Sequence, residues 1–246
     1  MDFSLIIPNI IKLLGKYWEL FLIEGVKNTL ILTAISVAKG TILGTVVAML
    51  KMSRFRIIRF LMALYVEVIR GTPNLQQLYV FYFVIPQVLK FLEMSPFMWV
   101  AVALCVNSAA YVSEVIRSGI QAVDKGQTEA ARSLGLSSSQ TMMKVILPQA
   151  VRNILPALGN EFIMMLKETS LASTFFLGDL MTSCLMVKGA TYLTLEPMII
   201  VALIYLCMTY PLSKLVNYFE KRMGGAGYKG RKKRKSLKEI KAEVQA

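Results

Sequence analysis

A few polar side chains that stand alone in apolar stretches are the first candidates for chemistry. Glu161 and Glu168 are seven residues apart, which places both on one stripe of a helix, whereas Lys167 points elsewhere. A buried acidic stripe implies cations, supplied by other helices or by a ligand. Asn107 offers a donor and an acceptor without net charge, which suits an amino or a carboxylate group. Glu161 could therefore contact a small polar ligand, but a role in packing between helices explains its position equally well.

A second candidate lies where Arg70 and Thr72 precede Pro73. Arg70 is about eleven residues beyond a basic cluster, hence about 16 Å into a membrane-spanning helix and near the bilayer midplane. Pro73 lacks a backbone donor and leaves the carbonyl group of Ile69 without its helical partner. Glu67 lies on the same helical face as Arg70 and could neutralise it. Two interpretations of Arg70 are open. It forms a structural ion pair with Glu67, or it contacts a ligand directly.

The sequence lacks what most hydrolytic enzymes need. It contains no histidine, the commonest general base and metal ligand. Its three cysteines are far apart in apolar surroundings, so Cys105, Cys184 and Cys207 are predicted to be small core residues, with neither a zinc site nor a disulfide. No G-x-x-x-x-G-K-[ST] loop is present. We expect no catalytic residue, no metal and no ATP site in this chain.

The composition is that of a membrane protein. The 246 residues are 55% hydrophobic, with a formal net charge of +13 and a mean hydropathy of +0.55. Nucleic-acid-binding proteins are not this apolar and carry their charge on a solvated face, so no nucleic acid partner is expected. At about 20 residues per span, the length suits about five transmembrane helices.

Apolar runs predict an all-α membrane protein with a transmembrane domain over residues 23–219. The second predicted span contains Glu67 and Arg70, and the fourth is the most polar, so an amphipathic helix on the membrane surface is its alternative. The five predicted spans are approximately 27–50, 57–85, 94–116, 155–178 and 196–217.

Basic residues predict the orientation. Nineteen Lys and Arg lie in the three connections 51–59, 117–152 and 221–241, against four in the alternate connections. Because basic residues are retained on the cytoplasmic side, the N-terminus is predicted outside and the C-terminus inside. Residues 1–22 mix apolar, basic and aromatic side chains and predict an interfacial helix on the outer side. The basic tail, 220–246, predicts retention in the cytoplasm and attraction to anionic membrane lipid.

The inner connection 117–154 is too long and too structured to be a plain loop. A short helix is predicted over Gln127–Leu134, stopped by Gly135, and a second is capped by Ser137 and ended by Pro148. A short helix on the inner face would be a docking element for a soluble partner. A compact folded connection without a partner is the alternative.

Within this connection, Glu129-Ala130-Ala131 is followed by Gly135 and then by residues 145–148, Val-Ile-Leu-Pro. This pattern resembles the EAA signature of ABC importer permeases. Flanking motifs narrow the resemblance to the polar amino acid uptake family, over residues 25–220: Arg70-Gly71-Thr72-Pro73, Asn107-Ser108-Ala109-Ala110-Tyr111, Gly126-Gln127, Pro148-Gln149-Ala150 and Lys167-Glu168-Thr169-Ser170-Leu171. The charge of Lys39 in the first span is not expected from the resemblance.

The resemblance implies a type I ABC importer permease fold with a cytoplasmic coupling helix. It implies that an ATP-binding cassette subunit carries ATP and Mg²⁺ and grips this chain at Glu129, Ala130, Ala131, Gly135 and Leu136. It also implies a second permease subunit, identical or related, and an extracytoplasmic binding protein that delivers a polar amino acid. Positions expected to line the substrate pathway are Asn107, Glu161, Arg70, Thr72 and Glu168.

These implications place the chain in the plasma membrane of a prokaryote, as a multi-pass protein that is not itself an enzyme. An ion-coupled secondary transporter or channel for small polar solutes, using Glu161, Glu168 and Arg70, is the alternative. That alternative has no use for the long inner helix. An intramembrane enzyme is disfavoured, because no serine or acidic pair lies in a motif of known mechanism.

Overall fold

The computed structural model describes residues 3–223, which form helices and no strand. In chain order the α-helices are α1 (Ile6–Trp18), α2 (Val26–Lys51), α3 (Arg56–Gly71), α4 (Asn74–Tyr79), α5 (Ile85–Val88), α6 (Pro96–Gln121), α7 (Lys125–Ser133), α8 (Ser138–Thr141), α9 (Leu147–Glu168), α10 (Leu180–Thr191) and α11 (Leu195–Met223). Shorter 3₁₀ or π-helical segments are Phe3–Leu5, Glu19–Gly25, Val80–Val84, Met142–Ile146 and Thr169–Phe175.

Three helical stretches within residues 3–223 are long and apolar enough to cross a membrane: Ile6–Lys51, Pro96–Gln121 and Leu195–Met223. A bent pair, Ser138–Phe175 with Leu180–Thr191, adds a fourth if the pair forms one span. The predicted span 57–85 is not a single helix, because α3 ends at Gly71. The count of five spans therefore stays a prediction.

The chain divides into two compact units. The first comprises residues 1–113 and 161–211, and the second comprises 114–160 with 212–246, both described here only within residues 3–223. Two hydrophobic clusters form the core of the first unit. One gathers side chains of α2, α4, α6 and α9 around Leu32, Leu104 and Met165, and the other gathers α1, α10 and α11 around Phe21 and Leu180.

A stripe of small side chains fixes how α2 packs on α6. Ser36, Gly40, Gly44 and Ala48 are buried and recur every fourth residue, so they share one helical face. A Cβ atom on Gly40 would lie 2.7 Å from the Cβ of Ser108, and one on Gly44 would lie 2.8 Å from the carbonyl oxygen of Ala109. Ser108 and Val112 of α6 therefore pack directly against the two glycines, a close approach that small residues permit in membranes.

We predict that Gly44→Ala destabilises the protein by about 1–3 kcal/mol, because the neighbouring backbone oxygen cannot yield to the added methyl group. Gly15→Ala is the matched control, since nothing lies within 4 Å of the Cβ it would add in α1. The melting temperatures of the two variants in detergent micelles test this prediction. Equal values would show that the contact between α2 and α6 has space for the added methyl group.

The N-terminal residues continue into α2. A π-helical segment joins α1 to α2, and the backbone is kinked at Tyr17 (φ −119°, ψ 18°). Asn9 Nδ2 donates a 3.0 Å hydrogen bond to the carboxylate of Glu196, which is buried at the start of α11. The helix predicted over 1–22 is thus packed on its own chain, and its interfacial position stays a prediction.

The prediction for the cysteines is right for two of the three. Cys105 and Cys184 are buried, but Cys207 is exposed. Cys207 lies on α11, whose apolar stretch is mostly exposed within residues 3–223. An apolar sequence context does not separate a side chain in the protein core from one on the outer face of a membrane helix.

Candidate functional site

A cavity of about 320 Å³ lies within the first unit, and it brings together four of the five residues expected to line a pathway, Thr72, Asn107, Glu161 and Glu168. The rest of its wall is mostly apolar, formed by Pro73, Asn74, Leu75, Tyr111, Met164, Met165 and Leu171. The cavity therefore combines a small set of polar groups with an alkyl surface, which is the usual make-up of a small-molecule site.

Arg70, the fifth predicted residue, is not part of this wall. Its guanidinium group lies over the ring of Tyr111, with 5.3 Å between Cζ and the ring centroid. Tyr111 does line the cavity, so Arg70 contacts a wall residue from behind the wall.

The break predicted at Pro73 shapes one side of the cavity. Helix α3 ends at Gly71, and Thr72 and Pro73 are extended, with ψ angles of 149° and 134°. The Ile69 carbonyl oxygen accepts a 2.6 Å hydrogen bond from Gln77 Nε2, so it has the partner that the proline requires. Gln77 Nε2 also lies 3.2 Å from the carbonyl oxygen and 2.9 Å from the hydroxyl of Thr72.

Gln77 also orients Asn107. Its Oε1 accepts a 2.9 Å hydrogen bond from Asn107 Nδ2, and both side chains are buried. The amide of Asn107 thus turns a donor towards Gln77, which leaves its carbonyl oxygen as an acceptor for a group in the cavity. Gln77 is a site residue that was not predicted from the sequence. The signal for it was the amide-rich run Asn74, Gln76 and Gln77 directly after a helix-breaking proline.

Glu161 and Glu168 lie on one face of α9, as their spacing predicts, and both line the cavity. Glu161 is only 7% exposed, whereas Glu168 is partly exposed and accepts a 2.9 Å hydrogen bond from Asn74 Nδ2. Lys167 is exposed and does not line the cavity. None of the described residues that line the cavity is a lysine or an arginine. The cavity is therefore rich in acceptors, and it favours a ligand that brings donors or positive charge.

The inner connection contains the predicted short helix, with shifted ends. Helix α7 begins earlier than predicted, because the side chain of Asp124 caps it by accepting from the Gly126 backbone N–H at 2.7 Å. It ends with Gly135 in the left-handed region (φ +82°), and the Leu136 N–H donates to the Ala131 carbonyl at 3.2 Å. This is the C-cap geometry that glycine allows without strain.

The signature residues do not share one exposed face. Glu129 and Ala130 are exposed, and the side chain of Leu134 is 81% exposed. Ala131 is only 4% exposed. Ala131 therefore packs within its own chain, and the contact with the ATP-binding subunit expected of it stays a prediction.

The second short helix also differs from the prediction. Ser137 caps it as expected: Gln140 N–H donates to Ser137 Oγ at 3.2 Å, and Gln140 Oε1 accepts from the Ser137 N–H at 2.9 Å. Pro148 does not end it, because π-helical turns lead from α8 into α9 and Pro148 occupies the first turn of α9. Pro148 has no N–H to donate to these turns, and a local π-helical adjustment is one way in which a helix accommodates the missing hydrogen bond.

Comparisons with known proteins identify the family of this chain. Residues 40–225 match the family described as "Binding-protein-dependent transport system inner membrane component". The arginine transport system permease protein ArtQ of Bacillus subtilis is 41% identical over 91% of this chain and 97% of its own length. The probable glutamine ABC transporter permease protein GlnM of the same organism is 40% identical over 81% of this chain and 92% of its own.

Solved structures give the same fold. A chain from the crystal structure of an amino acid ABC transporter with histidines superposes with a TM-score of 0.80 at 47% identity, covering 85% of this chain and 96% of that one. A chain of the MetNI methionine ABC transporter shares the fold alone, with a TM-score of 0.68 at 19% identity over 82% of this chain and 96% of that one. The protein is thus an all-α, multi-pass membrane protein with the type I ABC importer permease fold. It belongs to the family of inner membrane components of binding-protein-dependent transport systems.

Proposed function

We propose that this chain is the permease subunit of an ATP-driven importer that takes up a polar amino acid delivered by an extracytoplasmic binding protein. The observation that carries the substrate class is the cavity whose polar groups include Glu161, Glu168 and Asn107 and no basic side chain. The named functions of the relatives, arginine and glutamine transport, agree with a cavity that favours donor-bearing amino acids.

In this account the carboxylates and the Asn107 carbonyl oxygen accept hydrogen bonds from the side chain or ammonium group of the cargo. Leu75, Met164 and Leu171 pack against its alkyl part. An acidic amino acid would bring a like charge to Glu161 in a site of low dielectric, which is strongly unfavourable. Cationic and amide-bearing amino acids are therefore the preferred class.

ATP and Mg²⁺ act on a separate ATP-binding cassette subunit. That subunit contacts the segment containing Glu129, Ala130, Ala131, Gly135 and Leu136. The exposed side chain of Leu134 is a further apolar contact there. A second permease subunit completes the pathway. No chemistry is required of the chain itself, because opening and closing of the pathway moves the cargo.

Reconstitution into liposomes with the ATP-binding subunit and the binding protein tests this function. We expect uptake of labelled arginine or glutamine only when all components and ATP are present. An ion-coupled secondary transporter, which the relatives do not favour, would instead take up the amino acid without the ATPase. That result would overturn the proposal.

The orientation follows from the basic residues and has its own test. Single cysteines introduced at Glu93 and Ser138 are both on exposed positions, but on opposite sides of the membrane in the proposed topology. In intact cells, an impermeant thiol reagent should label Glu93→Cys and spare Ser138→Cys until the membrane is permeabilised. The reverse pattern would contradict a cytoplasmic C-terminus.

A further inference from the structure

Lys39 is the charge in α2 that neither the fold nor the cavity explains. It lies twelve residues before Lys51, the first residue of the basic cluster on the inner side, and so about 18 Å along the helix from that cluster. That depth is close to the middle of a hydrocarbon core about 30 Å thick. Lys39 is exposed on the surface of its own subunit.

Glu67 is a charge of opposite sign at a similar depth. It lies eleven residues after Arg56 and eight after Arg59 in α3, so it is about 12–16 Å from the same inner cluster. Glu67 is also exposed. Within residues 3–223, neither the ammonium group of Lys39 nor the carboxylate of Glu67 makes an ion pair or a hydrogen bond.

Each charge stands in an otherwise apolar, exposed helical stripe. On α2, Lys39 shares one helical face with four exposed apolar side chains, those of Ile42, Leu43, Val46 and Met49. The corresponding stripe on α3 combines Glu67 with Phe60, Leu64 and Val68. Exposing an unpaired charge to lipid at this depth is energetically unfavourable. Each of the two charges must therefore contact protein or water.

We propose that these stripes form the contact between two copies of this chain, in which Lys39 of one copy pairs with Glu67 of the other. The two charges are complementary and lie at similar depth. Two such pairs would form around a two-fold axis, because in a symmetric dimer each copy offers both residues. Family membership implies a second permease subunit, and in this proposal that subunit is a second copy of the chain.

Disulfide trapping in membranes of cells that produce the complete transporter tests the contact. Cys105, Cys184 and Cys207 are first replaced by serine. One copy then carries Lys39→Cys and one affinity tag, and a co-produced copy carries Glu67→Cys and a different tag. Oxidation should give an adduct of twice the subunit mass that carries both tags, which a bond within one chain cannot produce.

Leu206→Cys in place of Lys39→Cys is the control, because Leu206 is likewise exposed, on α11. Absence of the doubly tagged adduct, or an equal yield with Leu206→Cys, would overturn the proposal. A cysteine at position 39 that reacts with a hydrophilic reagent without forming the adduct would mean that Lys39 faces a water-filled path, which also overturns it.

Charge reversal gives an independent measurement on the same membranes. Lys39→Glu or Glu67→Lys alone should raise the dissociation constant of the dimer between about twofold and a hundredfold, and the double reversal should restore most of the loss. Lys39→Arg, which keeps the charge, should leave the constant near the wild-type value. A double variant no better than the worse single variant would rule out the pair.

Discussion

Glu161→Gln lowers arginine uptake by the assembled transporter at least about tenfold relative to glutamine uptake, because a charge-assisted hydrogen bond is replaced by a neutral one of the same shape. Glu161 is buried in the cavity wall, 7% exposed, where water cannot compensate for the lost carboxylate. The measurement is the ratio of initial uptake rates for the two amino acids in proteoliposomes. Because the substitution keeps the side-chain volume, co-purification of all subunits should be unchanged.

Glu196→Gln is the matched control for this prediction. Glu196 is also 7% exposed, but it accepts its hydrogen bond from Asn9 and does not line the cavity. Its substitution should leave the ratio of uptake rates within about twofold of wild type. If Glu161→Gln kept the wild-type ratio while assembly failed, Glu161 would be a packing residue and the binding protein would set specificity alone.

Ala130→Trp abolishes most of the ATP-binding subunit's attachment, with at least about a tenfold loss of affinity, while leaving the permease folded. Ala130 is exposed on α7, so a large side chain there disturbs a partner and not its own chain. A tenfold loss corresponds to about 1.4 kcal/mol, and a side chain that clashes at a close contact disfavours binding by at least that much. Co-purification of the ATPase measures the effect, and the melting temperature of the permease checks its fold.

Two comparisons separate docking from folding. Ala131→Trp should lower the melting temperature as well as the attachment, because Ala131 is only 4% exposed and packs within the chain. Ser139→Trp, on an exposed position of α8 outside the signature, should change neither. If Ala130→Trp retained normal attachment and normal coupled ATP hydrolysis, the loop would be a folded connection without the docking role.

Features that follow from local backbone rules were predictable from the sequence. Pro73 had to break a helix and leave the Ile69 carbonyl group without its usual donor, and both follow from proline lacking an N–H. Gly135 had to end α7 because few other residues adopt φ +82° without strain. The seven-residue spacing of Glu161 and Glu168 was enough to place them on one wall.

Features that depend on contacts between distant segments were not predictable. Gln77 orients Asn107 across thirty residues, and no local pattern specifies that pairing. Whether Ala131 or Ala130 faces inwards depends on how the inner connection folds back on itself. Pro148 is compatible both with the end of one helix and with the first turn of the next, and local rules do not choose between these.

Equilibrium binding of labelled arginine to the purified permease–ATPase complex, without the binding protein, tests most directly whether the cavity holds the cargo. We expect saturable binding that lysine and glutamine displace, that glutamate does not displace, and that Glu161→Gln weakens. Absence of binding, or displacement by glutamate as effective as by lysine, would contradict an acceptor-lined cargo site at Glu161, Glu168 and Asn107.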